Sequence, residues 1–154
     1  MDIKKIKVIG CGNLLAYDEG VGIHVVRRLK NHTLPDNIEI KELRNPGQLL
    51  LELVSEADKL IIVDACPEQG SVGTVHRYTR QDGEIKEILS NTIHAYHFYP
   101  VFELQEQSNH RNLPEEIVVF GIEIEKRNRF CVGLSQNIYE SLDKAIQIVV
   151  EELR

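Results

Sequence analysis

Asp18 and Glu19 stand side by side where a strand-like run, punctuated by glycines, gives way to a helix: Ile6-Lys7-Val8-Ile9-Gly10-Cys11-Gly12-Asn13-Leu14-Leu15-Ala16-Tyr17-Asp18-Glu19-Gly20-Val21-Gly22. In a nucleotide binder, backbone N–H groups at such a helix start hold phosphate, which adjacent acids repel. Carboxylates at the mouth of an α/β sheet suit a metal or a proton transfer better. Asp64 adds a third acid, closing the apolar run Leu60-Ile61-Ile62-Val63. Two carboxylates and one imidazole with open positions suit a borderline divalent metal such as nickel, zinc or iron. The imidazole candidates are His94 and His97 in Thr92-Ile93-His94-Ala95-Tyr96-His97, while His24, His32, His76 and His110 are scattered.

Each of these residues also has a plainer role. Glu19 complements a helix dipole as a first-turn acid. Asp64 caps a turn through Asp-Ala-Cys-Pro. Asp18 and Asn13 shape their loop, with Asp18 a reserve acid. Cys11, Cys66 and Cys131 are odd in number and widely spaced, which fits small core residues rather than a disulfide framework or a Cys-rich zinc site. Cys11 or Cys66 would be a nucleophile only with a histidine in reach. The chain contains neither H-E-x-x-H nor G-x-S-x-G, which removes a helix-borne zincin site and the α/β-hydrolase nucleophile elbow. A dinucleotide-binding reading has Gly10-Cys11-Gly12 and Glu42 in its favour. Against it, Leu15 replaces the third glycine and the helix starts too late.

The elements that must position these residues alternate between strand and helix. Strands are predicted at Lys5–Gly10, Ile38–Leu43, Leu60–Val63, Gly73–Thr79 and Ile117–Ile124. Helices are predicted at Gly20–Asn31, with Val21, Val25, Val26 and Leu29 inward, and at Gly47–Ala57. A final helix follows an N-cap at Ser135 and carries Ile138, Leu142, Ala145, Ile146, Val149, Val150 and Leu153 on one face. This order is that of a mostly parallel α/β sheet covered on both faces. Ligands bind such sheets at the carboxyl ends of the strands, beside the switch in strand order. Glu19 and Asp64 are expected to converge there. Thr92–Pro114 is the least regular segment and reads as a functional loop or lid.

The 154 residues, 42% hydrophobic, fit one domain over 1–154. No apolar run approaches the roughly 20 residues of a membrane span, and Met1-Asp2-Ile3-Lys4-Lys5 lacks the apolar region of a signal peptide. A cytoplasmic protein is expected. With 18 Lys and Arg against 24 Asp and Glu, the net charge of -6 argues against a nucleic-acid surface. The short basic clusters Arg27-Arg28-Leu29-Lys30 and Lys126-Arg127-Asn128-Arg129 read as solvated faces.

The run from Gly10 to Gly22 resembles the signature G-x-G-N-x-L-x-x-D-E/D-G-x-G of the hydrogenase maturation endopeptidases, which trim the large subunit of nickel–iron hydrogenases. Leu60-Ile61-Ile62-Val63-Asp64-Ala65 resembles the family's second block, and Thr92-Ile93-His94 the block ending in its metal-binding histidine. Phe120-Gly121-Ile122 and Gly133-Leu134-Ser135 resemble its closing strand and final helix start. The resemblance implies a three-layer α/β/α sandwich around a mixed, mostly parallel five-stranded sheet. It implies Glu19, Asp64 and His94 as catalytic and metal-binding residues. The implied substrate is a hydrogenase large-subunit precursor, cut once after nickel insertion and recognised through that nickel, with zinc or cadmium able to substitute in crystals. The family precedent is monomeric. Two stretches depart from the pattern. Glu42-Leu43-Arg44-Asn45-Pro46-Gly47 replaces an Asp-Gly-Gly-Thr-like loop, and Ala95-Tyr96-His97-Phe98 follows His94 where Leu and Gly are usual.

Either metal-polarised chemistry or a carboxylate acting as general base on water would suit the expected endopeptidase. A nickel-checking chaperone with the same ligands and no cleavage is the non-enzymatic alternative.

Overall fold

Near-continuous apolar runs give the central strands two buried faces, and successive side chains alternate between the two layers packed on the sheet. The protein is described by a computed structural model covering residues 4–44, 57–107, 113–126 and 129–154. Its strands are β1 (Ile6–Cys11), β2 (Ile38–Leu43), β3 (Lys59–Pro67), β4 (Val75–Thr79) and β5 (Glu116–Ile124). They form one sheet in the order β2-β1-β3-β5-β4. β2, β1, β3 and β5 run parallel, and β4 is antiparallel to β5.

The helices are α1 (Val21–Leu29), α2 (Ile85–Leu89), α3 (Tyr99–Gln107) and α4 (Gln136–Glu152), with 3-10 turns at Tyr17–Gly20 and Ala95–Phe98. On one face Val8, Ile61, Val63, Val118 and Phe120 pack with Val21, Val25, Val26 and Leu29 of α1 and Ile138, Leu142 and Ala145 of α4. On the other, Ile9, Leu60, Ile62, Ile117 and Val119 pack with Ile88 and Leu89 of α2, Phe98, and Phe102 of α3. The expected α/β/α layering with a mixed, mostly parallel sheet is present. Among the described residues no helix is long and apolar enough to cross a membrane.

Three details differ from expectation. β3 does not end at Val63: its ladder with β5 continues from Asp64 opposite Gly121 to Pro67 opposite Ile124, so Asp64 lies inside a strand. β4 begins at Val75 rather than Gly73. The segment expected to be irregular contains α3, whose start at Tyr99-Pro100 is compatible with proline in a first helical turn. The helix expected over Gly47–Ala57 lies, apart from Ala57, outside the described residues.

Two glycines of the first motif serve close packing. A Cβ on Gly22 would collide with the backbone carbonyls of Val63 and Cys11, so α1 rests directly on β1 and β3. A Cβ on Gly12 would lie 2.7 Å from the Glu19 carbonyl oxygen. The loop can therefore fold back over the end of β1 and bring Glu19 to the sheet.

Candidate active site

The chain runs from β1 outward to β2, then crosses back to place β3 on the other side of β1. The reversal lies between β1 and β3, and a crevice at their carboxyl ends is the expected ligand position. Glu19 comes from the 3-10 turn after β1, and Asp64 from β3.

Strand parity aims Asp64 toward the face occupied by Leu60 and Ile62, where the segment after α2 passes. Ile93 N–H donates to the Ala65 carbonyl at 2.9 Å and pins that segment against β3. Asp64 is fully buried. Its Oδ1 accepts from Ala65 N–H at 2.8 Å and lies 2.9 Å from His94 Nδ1. Its Oδ2 accepts from His94 N–H at 2.6 Å and Ala95 N–H at 2.7 Å. All four lone-pair directions of the carboxylate are engaged.

The other ring nitrogen, His94 Nε2, lies 3.6 Å from Glu19 Oε1, and both side chains are partly open to solvent. Burial depresses the His94 pKa, but hydrogen bonding and charge from Asp64, together with the charge of Glu19, outweigh it and raise the pKa overall. The Lys126 charge acts the other way. Glu19, Asp64 and His94 are thus brought together as a chain, Glu19 to imidazole to Asp64. Among the described residues no three His, Cys, Asp or Glu side chains are arranged to enclose a cation. The 2.9 Å between Asp64 Oδ1 and His94 Nδ1 suits a hydrogen bond. It is also near the roughly 3.0–3.4 Å separating neighbouring ligand atoms on an ion with bonds of about 2.1 Å.

His97 is exposed, with its ring edge-on to Tyr96 and its N–H donating to the His94 carbonyl. It does not join the chain. Asp18 is buried and accepts from the N–H and hydroxyl of Ser135, both at 2.7 Å. Ser135 sits at the N-cap of α4 as expected, but its hydroxyl serves Asp18 instead of a helix N–H. Asn13 Oδ1 accepts from Leu15 N–H at 2.9 Å and shapes the loop. Tyr17 adopts φ 53°, the left-handed region that side chains disfavour. That strain had no signature in the sequence.

The competing chemistries find little support. Burial pushes the Cys11 thiol well up, and burial with the nearby Glu123 and Asp64 charges pushes Cys66 up to about 12. Neither is a thiolate near neutral pH. Glu42, the acid a dinucleotide ribose would need, is paired with Arg27, Lys30 and Arg44. Leu43, in the first departing stretch, is a buried strand residue.

Comparison with known proteins bears on the fold and the family. Residues 23–152 match the family model described as hydrogenase maturation protease. A Methanocaldococcus jannaschii protein provisionally named a hydrogenase maturation protease is 30% identical over 158 residues, covering 100% of this chain and 99% of the relative. The hydrogenase 2 maturation protease of Escherichia coli is 27% identical, over 97% of this chain and 91% of its own. The solved structure of the hydrogenase maturating endopeptidase HybD from E. coli superposes with a TM-score of 0.81 at 27% identity, covering 97% and 92% of the two chains. With the family model matched over residues 23–152 and the M. jannaschii relative 30% identical along the whole chain, the chain belongs to the hydrogenase maturation protease family.

Proposed function

We propose that this protein is an endopeptidase that removes the C-terminal extension of a nickel–iron hydrogenase large-subunit precursor after nickel has been inserted. The observation that carries the reading is the Glu19–His94–Asp64 chain at the switch point, with the Glu19 and His94 side chains both partly open to solvent.

The precursor's nickel docks against these side chains and fixes the scissile bond by proximity. Water then adds to the scissile carbonyl, the C–N bond breaks, and the proton lost by water reaches the departing amine. Asp64, whose oxygens already accept hydrogen bonds from three backbone N–H groups and face the His94 ring, is occupied in holding that ring. Glu19, whose side chain is partly open to solvent, is better placed to take the proton from water. Nickel polarising the carbonyl is the other route. Zinc or cadmium at Glu19, Asp64 and His94 is expected from the same donor types once the ion takes the place of the Asp64–His94 hydrogen bond. The free thiols of Cys11, Cys66 and Cys131 fit a reducing cytoplasm, where we place the protein as a monomer.

The test is incubation of the pure protein with nickel-loaded precursor, nickel-free precursor and denatured casein, followed by gel analysis. Shortening of the nickel-loaded precursor alone is expected. Degradation of casein defeats the single-substrate reading, and tight binding of the loaded precursor without shortening favours a nickel-checking chaperone.

A further inference from the structure

Leu15, Phe130 and Val132 are large apolar side chains left 62%, 85% and 74% exposed. They belong to two loops that the fold joins twice. Ala16 and Cys131 form an isolated parallel bridge, with Tyr17 N–H donating to the Cys131 carbonyl at 3.1 Å. A few residues on, Asp18 holds Ser135. Leu15 therefore adjoins one side of the bridge, and Phe130 and Val132 flank the other. The Arg129 guanidinium lies 5.1 Å from the Tyr17 ring centroid at the edge of the same surface.

The same loop leads to the candidate active site, with Glu19 four residues beyond Leu15 and its N–H donating to the Ala16 carbonyl. The Asn13 turn that presents Leu15 also makes Ala16 N–H donate to the Asn13 carbonyl, so the loop is organised before any partner arrives. A loop backbone already ordered loses little conformational freedom on binding. Because the patch lies on the loop that carries Glu19, a polypeptide entering the site, rather than a second copy, is its occupant.

We propose that Leu15, Phe130 and Val132 dock an apolar segment of the nickel-bearing precursor beside its metal, with Arg129 meeting an acidic side chain of that segment. The proposal rests on the proposed function for the partner's identity. Such contacts are made equally before and during the reaction, so they act on KM rather than kcat.

The full-length chain carrying Leu15→Ser, Phe130→Ser and Val132→Ser together is compared with wild type and with Phe130→Ser alone. Binding of nickel-loaded precursor to immobilised protein and shortening on a gel are read separately. The triple variant is expected to raise Kd and KM at least about 10-fold with kcat within about two-fold, and the single variant to give part of that rise. Unchanged Kd and KM overturn the docking surface. If wild type binds but never shortens the precursor, the proposed function fails while the Kd comparison still decides the surface. No binding by wild type overturns both. A wild-type dimer that the triple variant dissolves, with KM unchanged, assigns the patch to a second copy and overturns the proposal.

Discussion

His94 earns its place through both ring nitrogens, one at Asp64 and one facing Glu19, whereas His97 points into solvent. Replacing His94 with Gln is expected to lower processing by orders of magnitude, beyond the roughly 10–100-fold lost when only a supporting partner of a ligand is removed. His97→Gln is expected to stay within a few-fold. Timed gels with nickel-loaded precursor decide this, and the reverse order would move the ligand three residues along. The cysteines give a second residue-level expectation. Because Cys66 is held near 12 and Cys11 well above its ordinary value, neither supplies a nucleophile. Cys11→Ala and Cys66→Ala should therefore retain kcat, measured at temperatures where each variant remains folded.

At the scale of elements, α1 lies so close to β1 and β3 that a Cβ on Gly22 would meet two backbone carbonyls. Gly22→Ala is expected to lower the thermal midpoint by several degrees or prevent folding, because backbone cannot swing aside as a side chain can. Near the carboxyl ends of β3 and β5, buried Glu123 accepts from Gln69 N–H, Ser71 N–H and the His76 ring, tying the β3–β4 connection down. These bonds, the Gln69 N–H first and then His76, hold its pKa below the ordinary carboxylate range. The stabilisation is present above the unfolded carboxylate pKa and is lost as pH falls through the depressed folded value. Glu123→Gln should cost about 2–3 kcal/mol at neutral pH and flatten that acid-side loss in denaturant titrations from pH 7 to 3. The strands, α1 and α4 were legible because their apolar periodicity records burial on one or two faces. α3 was not: Tyr99-Pro100-Val101-Phe102-Glu103-Leu104 has Leu104 exposed while Phe102 is buried, so no clean stripe marks the helix. Glu19 could be read from its place after β1, and Asp64 as the acid closing the apolar run Leu60–Val63, although it lies inside β3. Their connection through His94 depended on Ile93 pairing with Ala65, a long-range contact with no periodic signature.

Across the whole molecule, sheet direction separates what reacts from what holds. The carboxyl ends of the strands carry Glu19, Asp64 and His94, while the amino end of β3 carries Lys59, whose ammonium reaches Glu152 Oε2 at 2.7 Å near the end of α4. Arg77 grips the same carboxylate through two hydrogen bonds, at 2.6 and 3.1 Å. α4 is thus tied at both ends, by Asp18 to Ser135 at its start and by Lys59 and Arg77 to Glu152 at its finish. The two ties should fail differently. Glu152→Ala leaves a largely buried Lys59 without its nearest carboxylate. It should cost about 2–3 kcal/mol, less than the roughly 3–5 of a fully buried pair, because Glu116 remains 3.5 Å from the ammonium. Its kcat on nickel-loaded precursor should be unchanged below its unfolding transition, since no residue of that cluster adjoins the site. Asp18→Ala removes both hydrogen bonds that dock the Glu19 loop onto Ser135, so stability and processing should fall together. Processing should drop at least about ten-fold, because misplacing a positioning group by an ångström is enough to cost on that order or more. Denaturant melts and single-turnover processing on the two variants make the comparison. Equal losses of processing would mean that α4 transmits disturbance along its length, and that the ends of the sheet are not independent.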